Sequence, residues 1–287
     1  MEKPVLLAVM AHPDDETFGI GGTLAYYARR GVSVHVICAT RGEAGDVDEI
    51  YMQGFESIAD RRVHELCCAA KILGVEKIHF LDYRDSGMVG TIDNHHPKSL
   101  ASTSVEKVAA DIVIKIREIR PQVIVTFDPA GGYNHPDHIA VHKATVMAFN
   151  QSNDSNFKTK DLLPYKPQRL YFNTFAKNFL KIVVKILSFL GKDPTRFGRN
   201  GDINLVSIAQ INYPIHAVIP YRSVADIRDQ ASACYESQGG KKINQSPMGW
   251  VRRLIGLKET FMQAYPEPEP GYKTRDLFKG VQHPLHK

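Results

Sequence analysis

The sequence contains few cysteines and no long hydrophobic run, and each absence excludes a class of protein. None of its cysteines forms a CxxC pair, which excludes a disulfide-built module and a cysteine-rich zinc finger. We expect four free thiols in a reducing compartment, at Cys38, Cys67, Cys68 and Cys234. No stretch reaches about 18 uninterrupted apolar residues, and the N-terminal apolar run is too short for a signal peptide. We therefore expect no transmembrane segment and a cytoplasmic location.

The chain also lacks a large excess of positive or negative charge. Lysine and arginine number 36 against 31 aspartate and glutamate residues, a net charge of +5. A surplus this small fits a solvated, slightly basic surface or an anionic substrate, and it does not require nucleic acid. The chain carries no block of like charge and no internal repeat. We expect no nucleic-acid partner.

The first half of the chain alternates strand-like and helix-like segments. Short apolar runs predict strands, and amphipathic runs that end at glycine or proline predict helices. The predicted order is strand 5–10, helix 23–30, strand 32–39, helix 59–73, strand 77–81, helix 105–119 and strand 123–127. This order predicts an α/β, Rossmann-like fold, a mostly parallel sheet with helices on both faces. In such sheets the active site lies at the carboxyl ends of the strands.

The second half of the chain does not continue this alternation. It predicts an exposed loop at 151–160, an inserted helix at 176–190, a strand at 203–210, a helix at 223–238 and an irregular tail from 265. The inserted helix is either packed, against the core or a second copy, or it is a substrate lid or membrane-surface helix. We expect one domain over residues 1–287, with a core at about 4–150, a variable insert at about 151–201 and a C-terminal, substrate-shaping part at 202–287.

Two clusters of histidine and carboxylate residues follow predicted strands. His-Pro-Asp-Asp-Glu at 12–16 follows the first strand, and Tyr-Asn-His-Pro-Asp-His at 133–138 follows the fourth. Two imidazoles and one carboxylate leave a fourth position for water, which is the open arrangement of a catalytic zinc site. A further carboxylate beside the metal supplies the general base that metal-assisted hydrolysis needs.

These motifs resemble those of the LmbE/PIG-L family of zinc-dependent N-deacetylases, which act on N-acetylglucosamine-type substrates. The resemblance rests on AHPDDE at 11–16 and HPDH at 135–138 and covers roughly residues 4–150. It implies that His12, Asp15 and His138 bind one Zn²⁺ per chain, with Fe²⁺ as the alternative, and that Asp14 is the general base. For Glu16, at the start of a helix, structural capping and a catalytic part both stay open.

The segments RDSGM at 84–88 and RVHE at 62–65 resemble the mycothiol-pathway subgroup, which contains a glucosaminyl inositol deacetylase and a conjugate amidase. The resemblance implies that Arg62 and Asp85 bind sugar hydroxyls, and both side chains suit such hydrogen bonds. The alternatives are a surface salt bridge from Arg62 to Glu65 and a turn role for Asp85. Relatives often carry a histidine before the Ser-Gln pair at 237–238, where this chain has tyrosine and glutamate. That departure leaves the distal wall of the pocket open.

The second motif also predicts an acid for the reaction. We expect the Asp137 carboxylate to orient His135 and raise its pKa, so that a protonated His135 stabilises the oxyanion and protonates the leaving amine. Tyr133 matches a family tyrosine that lies over the same oxyanion. His142 stands four residues after His138, but we reject a helical metal pair because His138 already completes the ligand set.

We therefore expect a metal-dependent hydrolase that removes an acetyl or other acyl group from the nitrogen of an N-acetylglucosamine-type substrate. One alternative is an amidase that cleaves a glucosamine-amide conjugate of mycothiol type. Another is a sugar- or nucleotide-binding protein without catalysis, although the glycines at 19–22 do not form the dinucleotide fingerprint. The expected partner is a small amino sugar, and the oligomeric state stays open.

Overall fold

The computed structural model describes residues 3–159, 161–174, 177–197, 201, 203–245, 249, 253 and 257–282. Strands within these residues form one seven-stranded sheet in the order β3-β2-β1-β4-β5-β7-β6. Their bounds are β1 (Val5–Met10), β2 (Ser33–Thr40), β3 (Lys77–Tyr83), β4 (Val123–Phe127), β5 (Arg169–Thr174), β6 (Ala217–Pro220) and β7 (Lys258–Tyr265). The first five strands are parallel, and β7 runs antiparallel to both β5 and β6.

Helices follow most of these strands. The larger ones are α1 (Asp15–Ala28), α2 (Ile58–Leu73), α3 (Val105–Ile119), α5 (Pro136–Gln151), α6 (Lys177–Phe189) and α8 (Ala225–Cys234); α4 (Gly131–Asn134), α7 (Leu205–Gln210) and α9 (Gly240–Gln245) are short. α1, α2 and α8 contact one another, and α3 contacts α5. The helices thus form two layers with the sheet between them, which confirms the predicted α/β architecture. No helix within the described residues is long and apolar enough to cross a membrane.

The core strands and the helix ends follow from local sequence. β1 and β4 are almost entirely buried, as expected of central parallel strands with continuous apolar sequences. The side chain of Ser57 accepts the Asp60 N–H at the start of α2. The side chain of Ser104 accepts the Lys107 N–H at the start of α3. Gly74 ends α2 at φ 80°, a conformation that glycine adopts without steric cost.

The glycines at 19–22 lie inside α1 rather than in a phosphate-binding loop, so the helix begins earlier than the predicted 23–30. A Cβ added to Gly22 would lie 2.2 Å from the Tyr221 ring, closer than any side chain can pack. The glycine therefore permits close packing of the chain against α1. The structure offers no support for the nucleotide-binding alternative at this place.

In the second half one expected strand is a helix and one expected helix ends early, and the expected free cysteines include a bonded pair. Residues 203–210 contain α7 instead of a strand, because the Asn204 side chain accepts the Ser207 N–H and caps a helix. The helix predicted at 223–238 consists of a 3₁₀ turn and α8, which ends at Cys234. Cys68 of α2 and Cys234 form a disulfide, so the expectation of four free thiols fails. The inserted helix is confirmed as α6, although residue 176 lies outside the described residues.

Candidate metal centre and active site

The predicted site residues meet where the strand order reverses. β1 pairs with both β2 and β4, so the loops after β1 and β4 are neighbours at the carboxyl edge of the sheet. A doubly wound sheet binds its ligands at this point. The first loop carries His12, Asp14 and Asp15, and the second carries His135 and His138.

The three predicted metal ligands converge on one point. His12 Nδ1 lies 3.4 Å from Asp15 Oδ2, and His138 Nε2 lies 3.2 Å from Asp15 Oδ1 and 3.3 Å from His12 Nδ1. Donors that bind zinc tetrahedrally at about 2.0–2.1 Å are about 3.3–3.4 Å apart. The observed separations are therefore those of ligands around one small cation.

Hydrogen bonds fix which nitrogen of each imidazole faces that point. His138 Nδ1 donates to the Gly131 carbonyl at 3.2 Å, and His12 Nε2 donates to Asp137 Oδ2 at 3.1 Å. In the neutral rings, His138 Nε2 and His12 Nδ1 then present lone pairs toward each other. Two lone pairs and a buried carboxylate repel one another unless a cation lies between them. The donor set therefore fits a divalent metal.

Two carboxylates surround the outer nitrogen of His12. Asp137 Oδ2 and Asp85 Oδ1 lie 3.1 and 3.4 Å from His12 Nε2, and both side chains are buried. Outer carboxylates of this kind hold the orientation of a metal-binding imidazole and raise its basicity. Burial alone would raise the pKa of Asp15, but positive charge on the adjacent His138 and His12, when these imidazoles are protonated, outweighs burial and holds that pKa well below its usual range.

The expected pairing of Asp137 with His135 is wrong. The Asp137 carboxylate bonds to His12 and to the Ser86 N–H at 2.9 Å, while only the Asp137 backbone N–H contacts His135, at Nδ1. His135 caps the N-terminus of α5, which turns the following carboxylate toward β1. Burial lowers the pKa of His135 to about 2, and the nearby His12 and His138 contribute to the shift. His135 is therefore neutral.

Asp14 is held by Arg62. Arg62 Nη2 donates to Asp14 Oδ2 at 3.0 Å and to the Pro13 carbonyl at 2.6 Å. Burial raises the pKa of Asp14 to about 7, against the opposing effect of the Arg62 charge. Asp14 has a φ of 117°, a conformation that non-glycine residues rarely adopt. The Asp14 carboxylate thus lies in a strained turn beside the guanidinium group of Arg62.

The alternative salt bridge from Arg62 to Glu65 is wrong. Glu65 Oε1 accepts the Ser237 N–H at 2.8 Å and Arg61 Nε at 3.0 Å, while Arg62 points into the site. The Glu65 bond ties α2 to the segment after α8. It therefore supports the distal wall of the pocket, the region that the sequence left open.

Glu16 and Tyr235 form a buried pair whose contact the sequence did not reveal. The Tyr235 hydroxyl donates to Glu16 Oε1 at 2.7 Å, and Glu16 Oε2 accepts the Asp14 N–H at 3.1 Å. Of the two roles left open for Glu16, these contacts favour capping. The Tyr235 ring is fully buried. Tyr235 thus fixes the Glu16 carboxylate, which in turn holds the strained backbone of Asp14 through its N–H.

A cleft opens above these residues. It is lined by Asp14, Arg62, Asp85, Tyr133, His135 and His12, with Ala44, Gly45, Asp46, Gly87, Met88, Ile203 and Gln238 around them. Tyr133 contacts the His138 ring edge-on, with ring centroids 5.0 Å apart. His142 lies below the site, where Nδ1 bonds to the Phe127 carbonyl at 2.9 Å. All nine predicted site residues are therefore near one another, and most of them line the cleft.

The fold and the convergent donors define a class, an α/β protein with a buried histidine and aspartate centre suited to a divalent metal. Comparison with known proteins refines the class. Residues 7–149 match the model of the PIG-L family, described as GlcNAc-PI de-N-acetylase. The chain is similar to the 1D-myo-inositol 2-acetamido-2-deoxy-alpha-D-glucopyranoside deacetylase of Rhodococcus jostii, at 33% identity over 99% of this chain and 100% of the relative.

A second deacetylase of the same name, from Catenulispora acidiphila, is 39% identical over 93% of this chain and 91% of the relative. Among solved structures, the N,N'-diacetylchitobiose deacetylase of Pyrococcus horikoshii superposes with a TM-score of 0.63 at 22% identity, over 91% of this chain and 84% of that one. The chain belongs to the PIG-L family. The resemblance found in the sequence is confirmed.

Proposed function

We propose that this protein is a metal-dependent N-deacetylase that hydrolyses the acetamido group of an N-acetylglucosamine unit linked to inositol. The observation that carries the reaction class is the convergence of His12, Asp15 and His138, whose donor atoms lie 3.2 to 3.4 Å apart. The substrate is supported by relatives of that activity which align along nearly the whole chain.

The proposed cofactor is one divalent cation, Zn²⁺ ahead of Fe²⁺, held by His12, Asp15 and His138. Two imidazole nitrogens and one carboxylate are the donors that catalytic zinc sites use. When bound, such a cation polarises a carbonyl oxygen and lowers the pKa of water. Asp137 and the Gly131 carbonyl keep the two imidazoles in the ligating tautomer.

Asp14 is the proposed general base. Its carboxyl lines the cleft next to the ligand Asp15, and Arg62 fixes one of its oxygens. In this scheme Asp14 accepts the proton of the attacking water at Oδ1, the oxygen that Arg62 does not hold. Its position on the turn between the proposed ligands His12 and Asp15 supports this assignment.

His135 and Tyr133 are the proposed hydrogen-bond donors to the amide. Because His135 Nδ1 accepts the Asp137 N–H, the proton of the neutral ring is on Nε2. That N–H would stabilise the oxyanion, and Asp14, protonated by the attacking water, would pass this proton to the leaving amine. Burial raises the pKa of Tyr133 above its usual value, which keeps its hydroxyl a donor.

Asp85 and Arg62 are the proposed sugar-binding residues, since both line the cleft beside the reacting groups. Asp85 Oδ1 already accepts the Gly87 N–H at 2.8 Å, so we assign Oδ2 to a sugar hydroxyl. Arg62 also positions the proposed base, because it donates a hydrogen bond to Asp14. Cleavage of a glucosamine-amide conjugate would use the same residues and stays the alternative reaction.

We propose one domain over residues 1–287, an enzyme located in the cytoplasm, and an amino sugar as its partner, with the oligomeric state open. The cytoplasmic location no longer rests on free cysteines, because Cys68 and Cys234 are bonded.

The test is hydrolysis of a small substrate panel by protein reconstituted with Zn²⁺ or Fe²⁺. The panel contains N-acetylglucosaminyl inositol, free N-acetylglucosamine, N,N'-diacetylchitobiose and an amide conjugate of glucosaminyl inositol. We expect acetate release to be fastest from the inositol glycoside. Faster cleavage of the conjugate would establish the amidase alternative, and no cleavage of any amide would refute the proposal. Asp14→Asn is the matched inactive control.

A further inference from the structure

The outer face of α6 carries exposed apolar side chains beside lysines, and the described part of the chain does not cover it. The inner face packs through Leu180, Val183 and Leu187 against α7. Ile182 and Phe189 are two helical turns apart, on the side opposite Leu180. Phe189 is 90% exposed, and Leu190, directly after the helix, is 55% exposed. A single exposed apolar residue is ordinary, but a stripe at helical spacing indicates a binding surface.

Basic residues flank this apolar stripe. Lys181 and Lys185 are exposed one turn apart beside Ile182, and Lys192 follows the helix. α6 contains no acidic residue, and the nearest that follows is Asp193. An apolar stripe bordered by lysines matches the interface of an anionic bilayer, where the apolar side chains enter the acyl boundary and the lysines meet headgroup phosphates.

The position of α6 links this surface to the active site. Ile203, just before α7, lines the cleft, and it packs with Tyr133 against the hydrophobic cluster that joins α6 and α7. α6 follows the carboxyl end of β5, so the stripe lies at the edge of the sheet that carries the cleft. At the opposite edge, among the described residues, Leu163 is the large apolar side chain with comparable exposure.

A second apolar patch at the same edge has the wrong charge for anionic lipid. Ile50 is 76% exposed, but its loop carries the acidic residues Glu43, Asp46, Asp48 and Glu49. Anionic headgroups would repel this loop. Val89 and Ile92, in the loop after β3, are exposed as well, but Asp93 follows them directly and no lysine lies between them. Of these three exposed apolar surfaces, α6 is therefore the one that combines apolar side chains with neighbouring lysines.

We propose that the outer face of α6, formed by Ile182, Phe189 and Leu190 with Lys181, Lys185 and Lys192, docks this protein peripherally on an anionic lipid bilayer. Docking holds the cleft close to the bilayer surface. The proposal does not depend on the substrate or on the reaction, because binding to lipid is measured without turnover.

Co-sedimentation with vesicles tests the proposal. We expect the full chain to bind vesicles of phosphatidylcholine and phosphatidylglycerol at least tenfold more tightly than pure phosphatidylcholine, and salt to weaken this binding. Phe189→Ser with Leu190→Ser should lower partitioning by about tenfold or more. Lys181→Glu with Lys185→Glu should abolish the preference for the anionic vesicles.

Leu163→Ser is the matched control, since it removes an exposed leucine from the opposite edge and should leave partitioning unchanged. Circular dichroism and the melting temperature establish that each variant is folded. Equal binding to both kinds of vesicle, or an equal loss in Leu163→Ser, would overturn the proposal. So would light scattering that reveals a dimer which Phe189→Ser with Leu190→Ser dissociates, because the stripe would then be an interface between copies.

Discussion

Replacing Asp137 with asparagine removes the negative charge that faces the outer nitrogen of His12. Asp137 Oδ2 accepts from His12 Nε2 at 3.1 Å and from the Ser86 N–H at 2.9 Å. Asparagine offers an oxygen at the same place, so both hydrogen bonds and the tautomer of His12 can persist. The lost charge makes the imidazole a weaker metal ligand.

The expected loss is one of metal affinity. Removing a group that supports a metal-binding imidazole costs about 10–100-fold in affinity, or about 1.4–2.7 kcal/mol. Asp85 Oδ1 remains 3.4 Å from the same nitrogen, and its charge compensates in part. We therefore expect about tenfold weaker binding for Asp137→Asn. Asp137→Ala, which also removes the hydrogen bonds, should lie near the hundredfold limit.

The assay is competition for Zn²⁺ against a chelator of known affinity, followed by turnover at saturating metal. His135→Asn is the control, because His135 is the residue with which Asp137 was expected to pair from the sequence. We expect this control to bind metal normally and to lose turnover. An unchanged zinc affinity in Asp137→Asn, with turnover still low at saturating metal, would refute the assignment of Asp137 to His12.

Three further predictions concern stability. Cys68→Ser should lower the free energy of unfolding by about 2–4 kcal/mol, whereas Cys67→Ser, at the adjacent exposed free thiol, should not; equal denaturant midpoints for the two variants would contradict the disulfide. Tyr235→Phe should cost about 1.5–3 kcal/mol, because the buried Glu16 carboxylate loses a hydrogen bond; a midpoint equal to that of the wild type would contradict this. Burial and the neighbouring His35 lower the pKa of His79 to about 4, below the value of about 6.5 in an unfolded chain. The unfolded chain therefore binds the proton first as the pH falls, and the free energy of unfolding should decrease from about pH 7 to pH 4. His79→Asn should flatten that decrease, and an identical pH dependence would count against it.

The sequence predicted the first four parallel strands and the helices between them, because local patterns govern this part of the fold, but it did not predict the fifth parallel strand, β5. Strands buried on both faces are continuous apolar runs, and the intervening helices carry caps and stop signals such as Ser57 and Gly74. The antiparallel strands depend on distant pairing instead. β7 lies between β5 and β6, and no local feature of its mixed sequence specifies that position.

The errors have the same origin. The run at 203–210 is apolar without clear periodicity, and its helical state is decided by the Asn204 cap and by packing against α6. Cys68 and Cys234 are 166 residues apart and meet only because α2 packs against α8. For the site, the motifs identified the ligands, but sequence proximity assigned Asp137 to His135. In the structure, the first turn of α5 directs the Asp137 side chain toward His12 instead.

In the proposed active site, His12, Asp15 and His138 hold one divalent metal and Asp14 acts beside it as a base. The most direct test measures metal content and acetate release on the same preparations of wild type, Asp15→Ala and Asp14→Asn. We expect one metal per chain in the wild type, loss of both metal and activity in Asp15→Ala, and full metal with about 10²–10⁴-fold lower activity in Asp14→Asn. Full metal and normal acetate release in Asp15→Ala would refute the assignment of Asp15 as a ligand.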